Sequence, residues 1–584
     1  MDSSSQSPYS ELLVALLEAP SKPVEQSEDA VYEVIPFKSV EHYRSIANKL
    51  TSLTLSHRNL CDIELILNGG FAPLTGFMNK ADYESVLERM QLSDGTVWPI
   101  PITLDVDQRF ADSVKSGQEI ALHDANGLLV AILRVNDIWQ ADKKNEALAV
   151  YNTLDEQHAG VSNLFYQVKE FYISGELIQV TTPQHFDYRH LRFTPDELKA
   201  VFQQQGWEKI IAFHTDSPMH KPDRDLTIRA AKKAGAKLLI QPVMGVSQYA
   251  NFNHHIRCYE HIMKTYPNDF ALLSLLPLAT RLAGPREALW QAIIRKNYGC
   301  THFIIKPHHG SPTKNQNQYY SAYDAETLAL TYQDDIGIEI VPFQEHMDSK
   351  KKSRYFPIFQ FRKKTKLITF TGEELHDQLR NQKEIPEEFS YPEVIHELRK
   401  AYPSRLQQGF TVLLTGLPRS GKSTIASGLT LKLKELTGRQ ITLLDSREIR
   451  SQLTLGLGLS PKDQELSIER LGYVAREITK HNGIIICEMP MSSIKARNTL
   501  RKMVSQAGGF IEVHISTPIS VCEKRDTKGV YGRTRGGQII SRSQNGGGFE
   551  APISPEIDID TSSLNPSDAI EMMVKEIRLL GFIE

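Results

Sequence analysis

Residues 416–424 read Gly-Leu-Pro-Arg-Ser-Gly-Lys-Ser-Thr, between the apolar run FTVLLT and the helically spaced TIASGLTLKLKELT. No other stretch constrains the fold as tightly. A strand that turns through glycines straight into a helix opens a parallel α/β sheet, because the helix crosses back over the sheet before the next strand. Glycines in such a turn let backbone N–H groups curl around phosphate oxygens, so the turn predicts an ATP cradle made of Gly416, Ser420, Gly421, Lys422, Ser423 and Thr424. Lys422 reaches toward the β- and γ-phosphates and is a candidate catalytic residue, while the Ser423 hydroxyl can ligate Mg2+. Arg419 adds charge inside the loop and reads as a surface residue.

The rest of the chain divides by rhythm. From about 30 to 185, short alternating runs such as WPIPITLDV, GQEIALHD and GLLVAILRVNDIW predict a mainly β domain with a helix at NKADYESVLERM. From 186 to 395 the order is helix TPDELKAVFQQQ, strand EKIIAFH, helix RDLTIRAAKKAG and strand AKLLIQPVMG, with further strands in GCTHFII and DIGIEIVPFQ. That alternation predicts a parallel, Rossmann-like sheet whose ligands gather at the carboxyl ends of the strands. Residues 396–584 form the phosphate-loop domain, continuing through QITLLDSREIR, GIIICEMP and GFIEVHIST. Residues 1–29 read as a polar tail with a helix, and KKKSRYF as a solvated basic face. The expected class is therefore α/β multidomain, and 584 residues suit several cores.

Composition excludes some functions. No apolar run approaches the ~18 to 20 residues that cross a bilayer, and the start lacks the basic flank of a signal peptide, so no membrane partner and a cytoplasmic location are expected. Five scattered cysteines without a C-x-x-C pair argue against a disulfide framework or a zinc site. A net charge of −3 supplies no global field for a polyanion, so nucleic acid is not an expected partner.

The stretches GKSTIASGL, LGLSPKDQELSIERLGYVAREI, CEKRDTKGVYGRTRGG and FEAPISPEIDIDT resemble adenylylsulfate kinase, a P-loop enzyme that phosphorylates the 3′-hydroxyl of adenylyl sulfate. The resemblance implies that Arg525, Asp526 and Lys528 contact the bound nucleotides, that Asp445 is catalytic, and that Arg450 binds substrate. The chain also departs from the family. Asp-Gly-Asp-Asn-Val-Arg becomes Asp445-Ser446-Arg447-Glu448-Ile449-Arg450, so a guanidinium replaces the carboxylate expected beside the attacking hydroxyl, and a guanidinium cannot act as a base. The Ile-Arg-Arg segment becomes Ile468-Glu469-Arg470, and the Ser-Pro-Tyr-Arg turn becomes MPMSSIK.

Upstream, GGFAPLTGFMNKADYESVLERMQLSDGTVWPIPITLDV, LLSLLPLATRLAGPREALWQAIIRKNYGCTHFII and RNQKEIPEEFSYPEVIHELRKAYP resemble ATP sulfurylase. That enzyme joins sulfate to the α-phosphate of ATP, and the resemblance implies a PUA-like first domain and an adenylyltransferase second domain. The family loop Gln-x-Arg-Asn-Pro-x-His-x-x-His corresponds here to His214, Asp216, Ser217, Pro218, His220 and Asp223, within AFHTDSPMHKPDRDL. His220 is carried as a catalytic candidate, and His214, Thr215, Arg286 and His309 as candidate substrate contacts. The family turn Gly-Arg-Asp-His-Ala-Gly becomes Lys306-Pro307-His308-His309-Gly310-Ser311, losing another arginine. Unit charges ~4 Å apart interact by about 4 kcal/mol at a surface-like dielectric, so Asp216 in place of a sulfate-gripping arginine predicts poor sulfate binding. His214, His220, His308, His309, Asp216 and Asp223 include metal-donor types but lack tight ligand spacing.

The sequence thus supports a sulfate-activation type of bifunctional protein that uses ATP and Mg2+, with a nucleotide and a small-molecule acceptor as partners. The family resemblance implies a homo-oligomer. Two alternatives are an enzyme retuned to another acceptor and a non-catalytic nucleotide-sensing scaffold.

Overall fold

The computed structural model describes residues 37–244, 252–312, 319–342, 372–458, 460–489, 491, 493–526, 531 and 549–584. The chain divides into two compact units, Met1–Thr369 with Pro386–Glu397, and Phe370–Ile385 with Leu398–Glu584. Among the described residues no helix is long and apolar enough to cross a membrane.

Unit 1 holds two sheets. The first contains β1 (Thr51–Thr54), β2 (Gly76–Phe77), β3 (Leu104–Val106), β4 (Glu119–His123), β5 (Leu129–Gln140) and β6 (Phe171–Gln179), in the order β1-β4-β5-β6-β2 with β3 also on β6. Its pairs are antiparallel except β1 with β4. This is the mainly β domain that the alternating runs predict.

The second sheet is parallel throughout: β7 (Ile210–Thr215), β8 (Lys237–Pro242), β9 (Ala271–Leu273), β10 (His302–Ile305) and β11 (Glu339–Pro342), in the order β11-β10-β7-β8-β9. Strands β7, β8 and β10 are almost wholly buried, which is why they read as continuous apolar runs rather than alternating ones. From β7 the chain winds one way to β8 and β9, then returns to β10 and β11 on the other side. The carboxyl ends of β7 and β10 therefore flank the switch point, where open α/β sheets bind ligands.

Helix α1 (Lys221–Ala234) follows β7 and starts earlier than the RDLTIRAAKKAG run predicts. Pro222 sits in its first turn, and the Asp223 carboxylate accepts the His220 backbone N–H at 3.0 Å, closing the helix start. Helix α2 (Pro285–Asn297) is buried over most of its length. Inside unit 1, Asp62 and Arg281 form a buried ion pair with both carboxylate oxygens engaged, at 2.7 and 2.6 Å.

Unit 2 is a parallel sheet of β12 (Phe410–Gly416), β13 (Ile441–Leu444), β14 (Ile484–Glu488), β15 (Gly509–Ile515) and β16 (Ile557–Ile559), ordered β13-β14-β12-β15-β16. Its central strand β12 is buried at every residue and leads through the glycine turn into α3 (Lys422–Thr437). Again the connections leave the central strand in opposite directions. One core packs α3 and the helix Pro566–Leu579 against β12, β15 and β16.

Candidate functional sites

In unit 1 the two turns that depart from the family meet at the switch point. The rings of His214, at the end of β7, and His309, after β10, lie 4.8 Å apart. The His309 Nε2 is 2.9 Å from Gln291 Oε1, and the Gln291 amide donates to the buried Glu287 carboxylate at 3.0 Å. An Arg295 Nη2 from α2 reaches His214 Nδ1 at 3.3 Å and the Gln241 carbonyl at 3.4 Å. Burial holds His309 down to about 3 and His214 well below the ordinary imidazole range, with Lys306 and Arg295 adding repulsion to both. Both rings are therefore neutral at pH 7.

His220 is also buried. Its Nδ1 lies 2.8 Å from Ser390 Oγ, its ring stacks on Phe389 at 4.4 Å, and burial pushes it down to about 4. It is a packed, neutral group at pH 7 and supplies no positive charge to a triphosphate. Thr215 Oγ1 donates to the Ser217 carbonyl at 2.7 Å and so braces the turn.

Three expectations need correction. Asp223, aligned with the last histidine of the family loop, is instead the capping carboxylate of α1. Asp216 is exposed to solvent, so its charge is screened and its repulsion falls toward ~1 kcal/mol at 4 Å, not 4. Arg286, expected at the substrate, donates to the carbonyls of Val86, Pro99 and Leu87 at 3.1 Å each. It ties α2 to the end of the helix Lys80–Arg89 and commits three of the four N–H donors on those two nitrogens.

In unit 2 the loop has the shape of an anion cradle. Gly416 and Gly421 adopt φ of 145° and 103°, and a Cβ on Gly416 would stand 2.5 Å from the Ile515 carbonyl, so glycine is required there. The Ser420 Oγ is buried with no partner among the described residues, while the Ser420 carbonyl accepts from Thr517 and Thr561 hydroxyls at 3.1 and 2.8 Å. Lys422 Nζ donates to the carbonyls of Gly416 and Leu417 at 2.9 and 2.7 Å, and burial pulls it down to about 8. Ser423 and Thr424 are exposed at the start of α3. Backbone N–H groups, a buried lysine and an exposed hydroxyl together fit a nucleotide triphosphate with its Mg2+.

Arg525 donates to Thr561 Oγ1 and to the Thr561 carbonyl at 2.9 and 2.8 Å. Asp526 accepts the Tyr531 N–H at 2.7 Å and faces Arg419 at 3.4 Å, so Arg419 is held against the loop rather than free on the surface. The Tyr531 hydroxyl donates to the Pro418 carbonyl at 2.7 Å. These groups brace the cradle from behind. Lys528 lies outside the described residues, as does KKKSRYF.

Asp445 caps the short helix Ser446–Glu448, accepting the N–H groups of Arg447 and Glu448 at 2.8 and 2.9 Å, and pairs with the exposed Arg447 guanidinium at 3.1 Å. Those bonds, the Glu448 N–H first, hold its carboxyl below the usual range. Arg450 is exposed in a π-helical turn, Ile449–Leu453. Sequence reasoning missed Glu488, buried at the end of β14, although the run IIIC followed by an acid was a readable signal. It also missed Arg295, whose surroundings in IIRKN give no hint of burial. Among the described residues no group of three or more His, Cys, Asp or Glu side chains could hold a metal ion.

Comparisons with known proteins agree with this architecture. The PUA-like domain family matches residues 23–182, the ATP-sulfurylase family 189–401, and the adenylylsulphate kinase family 408–560. A sulfate adenylyltransferase of Gibberella zeae is 42% identical over 545 residues, covering 92% of this chain and 95% of its own length. One from Phaeosphaeria nodorum is 42% identical over 544 residues, with the same coverages. Among solved structures, the hexameric APS kinase from Thiobacillus denitrificans shares 30% identity and a TM-score of 0.75, over 94% of this chain and 97% of that one. The chain belongs to the sulfate adenylyltransferase family whose members carry ATP-sulfurylase and adenylylsulfate kinase domains, with altered motifs at both sites.

Proposed function

We propose that unit 2 transfers the γ-phosphoryl group of ATP to a hydroxyl of an adenylyl-sulfate-type acceptor, and that unit 1 is a poor catalyst of sulfate adenylylation. One contrast carries this reading. At the unit 1 switch point the loop positions hold neutral, buried histidines and an exposed Asp216, whereas unit 2 keeps the buried Lys422. Sulfate and ATP are both anions, and bringing them together needs preorganised cationic donors at the loop. The hexameric APS kinase from Thiobacillus denitrificans aligns over the sulfurylase-like region too, which supports the kinase reading and a homo-oligomeric assembly.

In unit 2 the loop N–H groups would hold the β-phosphate, and Lys422 would swing from its carbonyl partners to the γ-phosphate. Mg2+, held by Ser423, would offset charge between the phosphates. The braces at Thr517, Thr561 and Arg525 keep the loop from moving as charge shifts.

Pyrophosphate release from ATP and sulfate tests unit 1. We expect release no greater with sulfate than without, and robust sulfate-dependent release would refute the reading. ADP formation with adenylyl sulfate tests unit 2. The exposed Arg447 favours a second reading, a different acceptor, and a panel of hydroxyl acceptors in the same assay separates the two. Turnover with any of them rejects a sensing scaffold.

A further inference from the structure

We propose that Glu488 is the carboxylate that accepts the proton of the attacking hydroxyl in unit 2, the role that Arg447 leaves vacant. The inference rests on the phosphoryl-transfer reading above. Three loops converge at the carboxyl edge of the sheet, after β13, β14 and β12. Glu488 ends the middle strand, and its Cα pairs with Leu414, two residues before the glycine turn. It is 6% exposed.

Its Oε2 is fixed by the Ser446 backbone N–H at 3.3 Å and the Ser446 hydroxyl at 3.1 Å, and that hydroxyl also lies 2.9 Å from the Glu488 carbonyl. No hydrogen bond from a described residue reaches its Oε1. Its negative charge acts on the Lys422 ammonium, partly offsetting the burial that lowers it. Oε1 is not among the buried side-chain atoms left without a partner, so this edge of the carboxylate is open to an incoming hydroxyl while Oε2 is anchored.

The other acids nearby are committed or misplaced. Asp445 caps a helix through Oδ1 and pairs with Arg447 through Oδ2. Its lowered pKa makes it a weaker base. Glu448 is exposed. Glu488 therefore sits on the strand next to β12 with Oε2 anchored to the loop after β13 and Oε1 uncommitted among the described residues. The step balances: the acceptor oxygen bonds to the γ-phosphorus, the bond from that phosphorus to the β–γ bridging oxygen breaks, ADP leaves with the electron pair, and the hydroxyl proton passes to Glu488 Oε1.

The test compares the full-length protein with Glu488→Gln and Glu448→Gln. The glutamine amide oxygen still accepts from Ser446, so the loop anchor survives. Steady-state ADP formation is read beside binding of a fluorescent ATP analogue and a Mg2+ titration. We expect Glu488→Gln to lower kcat by about 100-fold or more, with nucleotide Kd within threefold, and Glu448→Gln to stay within twofold. A kcat within fivefold of wild type overturns the assignment. So does a rate restored by raised Mg2+, which would make Glu488 a metal holder, and so does a parallel loss of nucleotide binding, which would make it part of the cradle. Wild-type protein that forms no ADP with any acceptor overturns the kinase reading itself, and this inference with it.

Discussion

Replacing Lys422 by methionine should remove a pH-dependent instability from the nucleotide-free protein along with its response to ATP. Lys422 is 6% exposed, and burial lowers its ammonium from 10.5 to about 8. One pKa unit is about 1.4 kcal/mol, so holding the charge inside destabilises the folded state by about 3 kcal/mol at neutral pH. Because the folded value lies below the unfolded one, the unfolded chain binds more protons between pH 8 and 10.5. Stability therefore rises with pH across that window, and is unaffected by this group below it. Between pH 7 and pH 9 the gain is roughly 1 kcal/mol.

The methionine variant has no such gain, so its stability relative to wild type should fall by that amount between the two pH values. Urea unfolding followed by far-UV circular dichroism reads both units. Tryptophan fluorescence reads unit 1 alone, since Trp98, Trp139, Trp207 and Trp290 all lie there. The transition seen by dichroism but not fluorescence is the one to compare. ATP should raise it in wild type and leave the variant unmoved. A difference between the proteins that is the same at pH 7 and 9 would refute the reasoning.

Unit 1 should weaken on acidification. His220 and His309 are held at about 4 and about 3, below the 6.5 of an unfolded histidine, so stability is unaffected above that value and falls as pH drops below it. Each contributes roughly 2 kcal/mol of loss by pH 5, and an unchanged fluorescence-detected urea midpoint between pH 7 and 5 would contradict this. Asp62→Ala should destabilise unit 1 by about 3 to 5 kcal/mol, because Arg281 keeps a buried charge without its partner, and the same fluorescence titration measures it.

The sheets and the phosphate loop were legible because their signals are local. β12, β14 and β7 are runs of buried residues, and glycines with positive φ mark the turn into α3. The start of α1 was less legible, although Pro222 and Asp223 are ordinary helix-opening residues. Alignment with a catalytic motif drew Asp223 toward the ligand, when a local hydrogen bond had already claimed it. The role of Arg286 could not be read, since its three carbonyl acceptors lie some 190 residues earlier in the chain, about 187 to 200 away. β16 hid among prolines and acids in APISPEIDID. Residues 370–397 divide between the units, with 386–397 in unit 1, and their uniform charged, helical composition carries no mark of that crossing.

Arg295 is the strongest argument against a weakened sulfurylase site. Its guanidinium has no carboxylate partner among the described residues, its Nε and Nη1 have no acceptor, and at about 10 it remains charged at pH 7. Gln241, whose carbonyl accepts from Arg295, also has side-chain polar atoms without partners among the described residues, so this layer is polar and incompletely satisfied there. Ordered waters fill such layers. Arg295 Nη2 stands 3.3 Å from His214 Nδ1, and Lys306 also acts on both the His214 and His309 rings, so cationic charge does reach this layer. On the reading proposed above, that charge is held by the buried His214 ring and the Gln241 carbonyl rather than offered in the loop; sulfate-dependent pyrophosphate release that Arg295→Gln abolishes would refute it.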